Sequence, residues 1–469
     1  CLMPQYSSVD ESVKKALSTI VGEKYVWTDP DKLEPYSHDE VTGEKYSKLP
    51  EVVVFTETTE QVSAIVKLAN KFLIPIVPRG AGTGYACGAV AYVGGIVVSL
   101  ERMNRILEVD EQNMIMVVEA GVRTSEVQKA ANQKGYLYAG DPCSGDSSFI
   151  GGNVATNAGG NKAVKYGTTR QQVNGVEVVT PEGAIVILGG KLKKDSTGYC
   201  LCQLMIGSEG TLGIITKVYL RMEPLPKHTM ELLAVFPDLE TAIAIVGKIM
   251  NSGLAPTCVE FMDNKSIQCC EKFLNEKLPR SSDGYYIIVS LEGSDVDFLE
   301  DNCIAIDELC CANGAMEVLV ADPVKIWKAR KCFGEANRAR SLIFSAEDIV
   351  VPMSEIPGTV RKIMALSEKY QVTIHCAGHA ADGNIHADIL KEQIPDDEWA
   401  NKLSAIQKEI YQYVYSVGGK LSGEHGIGYK RMPLMKEFAD PEELNLMRSI
   451  KRAMDPLLIM NPEKIFECN

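Results

Sequence analysis

The sequence predicts an α+β protein of two or three domains, and three observations carry that expectation. A chain of 469 residues is longer than a single hydrophobic core normally grows. Before Met222, short β-branched runs alternate with amphipathic helical patterns. Beyond the run Met222-Glu223-Pro224-Leu225-Pro226, which reads as a boundary, the pattern changes to repeated strand, helix, strand.

In the first part, residues 11–21 and 60–72 read as amphipathic helices; in the second of them Val62, Ile65, Val66, Ala69 and Phe72 recur at helical spacing after a Thr58-Thr59 start signal. Residues 52–55, 74–77, 96–100 and 114–119 are short β-branched runs. Residues 176–180 and 184–188 flank Pro181-Glu182-Gly183 as a hairpin, and 214–221 supply a last strand. Past the boundary come strand 230–236, helix 239–250 and strand 258–262, then strand 285–291, helix 296–312 and strand 316–320. Two such units rejoining one sheet suggest a ferredoxin-like layer. Helices are expected over 357–370 and 396–417, and the C-terminal segment reads as mainly helical.

Apolar content of 45% and charged content of 23% are ordinary for a globular protein. The 62 acidic against 48 basic side chains give a net charge of −14, which argues against nucleic acid or an anionic membrane as partner. No stretch approaches the ~20 consecutive apolar residues of a spanning helix, and the amino terminus shows no signal-peptide core; the expectation is a cytoplasmic protein without a transmembrane segment. The 14 cysteines are expected to be mostly reduced thiols. Cys200 and Cys202, Cys269-Cys270 and Cys310-Cys311 lack the C-x-x-C-x-x-C spacing of an iron–sulfur cluster.

Chemistry first shows in the run from Gly151 to Gly160, which holds four glycines and nothing larger than valine or asparagine. Such a run lets backbone lie directly against a bound molecule. We read it as a loop moulded on a flat, polar, multi-ring ligand, the competing reading being a tight crossing of two backbones. Pro78-Arg79-Gly80-Ala81-Gly82-Thr83-Gly84-Tyr85 follows an apolar strand and offers N–H groups to phosphate. Gly207-Ser208-Glu209-Gly210-Thr211-Leu212-Gly213 leads into strand 214–221. The first of these fails the G-x-G-x-x-G spacing of a dinucleotide fingerprint.

PRGAGTGY, GGNVATNAGG with KYG after it, and GSEGTLGIIT, in this order and spacing, resemble the FAD-linked oxidase family of the vanillyl-alcohol oxidase fold, in its D-lactate dehydrogenase, glycolate oxidase and 2-hydroxyglutarate dehydrogenase branch. The likeness covers nearly the whole chain. It implies a vanillyl-alcohol-oxidase-type FAD-binding domain over 1–224, of two α+β subdomains split near 105. A ferredoxin-like antiparallel substrate cap with a metal site follows over 225–418, and a helical C-terminus over 419–469 returns to the flavin domain. In that family the three stretches wrap FAD. The resemblance therefore implies FAD contacts from Arg79, Gly80, Ala81, Gly82, Thr83 and Gly84, and from Pro142. From the second stretch it implies Gly152, Asn153, Ala155, Thr156, Asn157, Gly159 and Gly160, with Tyr166 and Gly167 after it. From the third it implies Glu209, Gly210, Ile214 and Ile215. Some relatives tether FAD through a histidine in the first loop, and residues 78–95 contain none, so non-covalent FAD is expected.

Only six histidines occur, four of them, His375, His379, His386 and His425, within one window. His379 and His386 would stand ~10 Å apart on a straight helix and ~23 Å apart on a straight strand, so neither lets both rings hold one ion. The Asp382-Gly383 pair between them supplies a turn that can fold them together. Glu424 would complete a two-histidine, one-carboxylate set with open positions. The pattern resembles the family's metal motif H-x-x-D-G-N-x-H followed by G-E-H-G, which implies His379, His386 and Glu424 as ligands of one divalent metal and His425 as catalytic base. Zn, Fe(II) and Mn(II) all suit that donor set. Asn384 reads as a residue that orients the metal ligands or equally as a turn former. His375, His38 and His228 read as structural.

Oxidising a 2-hydroxy acid removes the hydroxyl proton and a hydride from one carbon. A histidine near pKa ~6.5 is a weak base for an ordinary alcohol, and a divalent ion can acidify that hydroxyl for His425 while hydride passes to the flavin. Arg330, in Trp327-Lys328-Ala329-Arg330, matches a substrate arginine of relatives, since a guanidinium offers a carboxylate two parallel donors; a solvated helix arginine is the competing reading. Relatives place a second basic residue around Glu347–Pro352, yet Ala346 precedes and Met353 follows that segment here. This tilts the expectation from 2-hydroxyglutarate to D-lactate, with glycolate or another short hydroxy acid as alternative. Electrons are expected to leave to an electron-transferring flavoprotein or a quinone. A flavin electron-transfer subunit without substrate chemistry is the alternative of another class.

Overall fold

The computed structural model describes residues 4–467, and these group into two compact units. The first runs through Gly159, resumes over Thr168–Leu225 and closes with the segment from Glu424 onward; the second comprises Gly160–Gly167 and Pro226–Gly423.

In the first unit, strands β1 (Val26–Trp27), β2 (Val52–Phe55), β3 (Ile76–Arg79) and β4 (Ile96–Ser99) form a sheet of order β1-β2-β4-β3. β4 pairs in parallel with both β2 and β3. Every residue of β2 and β4 is buried, which is why these runs are apolar without alternation. Val13 and Leu17 of the helix Glu11–Val21 and Val62 and Ile65 of the helix Thr59–Phe72 share one core with Ile76 and Ile96. The second helix starts where the side chain of Thr58 accepts the Gln61 N–H, an N-cap of the usual kind.

Strands β5 (Ile106–Asp110), β6 (Ile115–Glu119), β7 (Tyr136–Leu137), β8 (Val173–Val179), β9 (Ile185–Gly189), β10 (Ile214–Arg221) and β11 (Glu223–Pro224) follow in this unit. Five of them build an antiparallel sheet of order β5-β6-β10-β8-β9, and β7 pairs with β11. The C-terminal segment returns to lie along β3: Ile76 N donates to Ile459 O at 2.8 Å and Asn461 N donates to Ile76 O at 2.7 Å.

The second unit is built on one antiparallel sheet of β12 (His228–Phe236), β13 (Cys258–Met262), β14 (Tyr285–Gly293), β15 (Glu317–Val320), β16 (Phe344–Val350), β17 (Ile374–His379) and β18 (Asn384–Leu390), in the order β15-β12-β14-β13-β17-β18-β16. With the helices Leu239–Asn251 and Val296–Cys311, the first four make a ferredoxin-like β-α-β-β-α-β unit. The sheet is wider than that unit because β17, β18 and β16 extend it beyond β13. Every residue of β13, β17 and β18 is buried, so both faces of this part of the sheet are covered.

One expectation is overturned. The glycine-rich run read as a loop is helical in its first half, Ile150–Thr156, and turns only at Asn157, whose φ of 53° is left-handed. Two glycines in the opening turns cost helix propensity. At Gly151 they also bring the helix close, since a Cβ there would stand 2.6 Å from the Ala120 Cβ.

Candidate active site

The first unit contains an open cleft lined largely by the glycine-rich segments, a concave site of the kind that takes small molecules and cofactors. β3 delivers the loop from Arg79 to Gly84 to one wall, and the helix Ile150–Thr156 presents Gly152, Asn153, Ala155 and Thr156 to another. Gly152 would have no heavy atom within 4 Å of an added Cβ, and Gly80 lies 3.6 Å from the Gly152 Cα by the same measure. Bare backbone thus forms the wall, leaving room that side chains would otherwise fill. Pro142, Glu209, Gly210 and Ile215 complete the lining that the motifs anticipate, and Glu424 and His425 line the same cleft.

The loop carrying His425 is clamped by one carboxylate. Glu209 Oε1 accepts the Ile427 N–H at 2.8 Å and Oε2 accepts the Gly428 N–H at 2.7 Å. Burial pushes the Glu209 carboxyl up in pKa, against the pull of these two donors. At Gly428, φ is 52° and a Cβ would meet the Ala86 O at 1.9 Å, so the close packing of this loop requires glycine there. Fully buried Arg431 donates to the Gly426 O at 3.0 Å. The His425 ring stacks on Tyr85 with centroids 5.2 Å apart and planes 29° apart. Glu424 Oε1 lies 3.7 Å from His425 Nε2, and Gly159 lets that carboxylate rest on its backbone, since a Cβ would stand 2.4 Å from Glu424 Oε2.

In the second unit the β17–β18 hairpin brings two histidines together. His379 pairs with Asn384 and Ala377 with His386, so the two histidines are diagonal neighbours on one face. Their ring centroids are 5.3 Å apart in an edge-on arrangement. The turn depends on Gly383, whose φ is 87° and whose added Cβ would meet the Val351 O at 2.0 Å. Behind His379 stands Glu260, its direct cross-strand partner on β13, with Oε1 2.6 Å from His379 Nδ1. A carboxylate only accepts, so Nδ1 carries a proton, and in the neutral ring the lone pair is then on Nε2. Asp348, on β16, lies 3.9 Å from His386 Nδ1. It is held by Asn384 Nδ2 at 2.7 Å and by Ser422 Oγ at 2.5 Å. Gly423 packs so tightly on Asn384 that a Cβ would stand 2.3 Å from its Nδ2.

A family model described as FAD linked oxidases, C-terminal domain, matches residues 225–465, and one described as FAD binding domain matches residues 50–189. The chain belongs to the FAD-linked oxidases. It is 38% identical over 443 residues to a D-lactate dehydrogenase of Anaerostipes hadrus, covering 92% of each chain. It is 34% identical over 435 residues to glycolate oxidase subunit GlcD of Bacillus subtilis, again covering 92% of each. Among solved structures, p-cresol methylhydroxylase with substrate bound superposes with a TM-score of 0.82 at 18% identity, over 99% of this chain and 98% of that one. The fold is thus of the vanillyl-alcohol oxidase type, and this chain is an FAD-linked oxidoreductase.

In this FAD-linked oxidase the glycine cradle suits the cofactor. All six residues Arg79 to Gly84 line the cleft. Other residues anticipated as cofactor contacts have engagements of their own. Asn157 uses its side chain internally, Oδ1 accepting from Thr168 Oγ1 at 3.0 Å and from Arg170 N at 2.9 Å, as suits a left-handed helix cap. Asn153 lines the cleft but donates its amide to Thr124 Oγ1 at 2.8 Å, so it is partly committed to the protein. Ile214 is buried at the start of β10. Gly160, Tyr166 and Gly167 group with the second unit, where the Tyr166 hydroxyl donates to Glu292.

Arg330 is buried and directed at Glu260, with Nε 2.9 Å and Nη2 2.8 Å from Oε2. It is therefore not a solvated helix arginine. His375 is a core residue whose Nδ1 meets Asn337 Oδ1 at 2.6 Å. Sequence reading passed over Tyr85, Glu260 and Asp348. The available signal for Glu260 was a lone acid inside the apolar strand Cys258–Met262; Asp348 stands beside Glu347 in Phe344–Val350, where no such signal marks it.

Proposed function

We propose that this FAD-linked oxidase is a metal-dependent D-2-hydroxy-acid dehydrogenase that oxidises D-lactate to pyruvate and passes electrons to a separate electron-transferring flavoprotein. One observation carries the reading: Glu424 and His425 line the same cleft as the glycine loops, which sets a candidate base and a candidate ligand beside the cofactor's cradle. For the ion we propose His379, His386 and Glu424. The two imidazoles already share a face of one hairpin, and with Nδ1 facing the Glu260 carboxylate the neutral His379 ring offers Nε2 as the ligand atom. Gly423 packs on Asn384, and Glu424 is the next residue in the chain.

When bound, flavin accepts a hydride and a divalent ion acidifies a coordinated hydroxyl. The chain's own side chains do the rest. His425, its ring plane fixed by Tyr85, receives the hydroxyl proton. Arg330 is proposed for the substrate carboxylate, and Glu260 keeps its guanidinium in place. D-lactate is favoured over 2-hydroxyglutarate because Phe344–Val350 and the Val351-Pro352-Met353 after it carry no lysine or arginine. The resemblance to GlcD keeps glycolate as the second reading. The cysteine spacing offers no iron–sulfur ligand set, which favours an acceptor on another protein.

Elemental analysis beside a visible spectrum tests the cofactors, and dye-linked turnover of D-lactate, L-lactate and glycolate tests the substrate. We expect a yellow protein with one equivalent of Zn, Fe or Mn and a preference for D-lactate. Turnover that favours L-lactate, or full activity without metal, would overturn the proposal. Reduction of purified electron-transferring flavoprotein by D-lactate and enzyme tests the acceptor; reduction of a quinone instead would replace it.

A further inference from the structure

We propose that Glu260 is a positioning residue that orients two groups at once, the metal-binding atom of His379 and the guanidinium of Arg330; this rests on the metal site proposed above. Glu260 sits within β13 with 0% of its surface exposed. Its register partner on β17 is His379 itself, so both side chains leave the sheet on the same face. Oε1 accepts from His379 Nδ1 at 2.6 Å, and Oε2 accepts from Arg330 Nε at 2.9 Å with Nη2 in ion-pair contact at 2.8 Å. Cys258 Sγ, two residues along the same strand, adds a contact at 3.4 Å to Oε1.

Burying one carboxylate with one guanidinium is a poor way to stabilise a core, where apolar side chains of similar volume do as well or better. Orientation is what the arrangement supplies. By accepting at Nδ1, Glu260 selects the tautomer that leaves Nε2 as a ligand and stops rotation of the ring. Its other oxygen holds Arg330 through a hydrogen bond from Nε and the ion pair with Nη2, so one side chain fixes the spacing between metal ligand and carboxylate receiver.

A neutral amide cannot do both. If the oxygen of Glu260→Gln accepts from Arg330, its NH2 faces His379 and drives the imidazole proton to Nε2, the atom that would bind the ion. If it is turned the other way, Arg330 meets a donor. Glu260→Asp keeps the charge but draws the carboxylate back toward β13 by one methylene, lengthening its distance to both His379 and Arg330. Both variants are measured as holoenzyme against wild type and His379→Ala for FAD per chain, zinc affinity by dialysis against graded zinc buffers, and kcat and KM for D-lactate.

We expect Glu260→Gln to keep its FAD, to bind zinc about 10–100-fold more weakly and to show a raised KM, with Glu260→Asp between it and wild type. A Glu260→Gln enzyme with full FAD and wild-type zinc affinity would overturn the inference. Should that variant lose its FAD, Glu260→Asp decides by the same two outcomes. Wild type that binds no zinc would instead defeat the metal site itself, and loss of zinc in His379→Ala but not in either Glu260 variant would defeat only the role given to Glu260.

Discussion

At His425 the ring is held by stacking on Tyr85, and its loop by two N–H bonds to Glu209. Hydrogen bonds to a charged group contribute roughly 1.5–3 kcal/mol each, so the loop is fixed before substrate arrives. His425→Ala should lower dye-linked turnover by about 10²–10⁴-fold, the range for a lost general base, while FAD content stays at the wild-type level. Full activity in that variant would return the chain to an electron-transfer role. A different histidine governs acid stability. Burial, reinforced by the charges of Arg340 and Lys265, lowers the pKa of His375 from 6.5 to about 3. Between those values the unfolded chain binds a proton that the folded chain does not, so this contribution to stability is complete above pH 6.5 and is lost as pH falls toward 3. The loss approaches about 1.4 kcal/mol per pH unit. Thermal melts from pH 7.5 down to 4.5 should fall less steeply in His375→Gln than in wild type.

Among the elements, the helix Ile150–Thr156 separates folding from binding within two adjacent glycines. A Cβ on Gly151 meets Ala120, whereas a Cβ on Gly152 meets nothing within 4 Å. Gly151→Val should therefore lower Tm through overpacking, typically about 1–3 kcal/mol. Gly152→Phe should fold and project its ring into the cleft, giving a colourless protein of near wild-type secondary structure. Equal flavin content in Gly152→Phe and wild type, measured by absorbance, would exclude this wall from the cofactor site. The β17–β18 hairpin makes a similar division: Gly383 forms the turn, and the two-residue strand period then aligns His379 with His386.

For the molecule as a whole, chain order and spatial grouping disagree. The first unit is assembled from three stretches and the second from two, so the cleft takes Arg79, Gly152, Glu209 and His425 from widely separated positions. Long-range closure of this kind slows folding, and a ligand that binds only the folded unit offsets part of its cost. With no histidine in the first glycine loop, acid precipitation should release all flavin into the supernatant. Excess FAD should raise Tm, by an increment worth about 2.7 kcal/mol at a hundred times Kd. Flavin remaining in the washed pellet would demonstrate a covalent link through another residue.

Local signals in the sequence were enough for the helices Glu11–Val21 and Thr59–Phe72, the strands Val52–Phe55 and Ile214–Arg221, the three glycine motifs and the histidine window. Periodicity, caps and glycine spacing act over a few residues and are written directly in the chain. Tertiary structure decided what long-range register decides. Glu260 meets His379 across 119 positions and Arg330 across 70, Tyr85 stacks under His425, and Asn157 turns its amide oxygen to Thr168 and Arg170. Strands β16, β17 and β18 also found their places only through pairing partners. A side chain's role depends on which face its strand presents and which strand lies beside it, and that choice is made by the packed sheet rather than by neighbours in sequence.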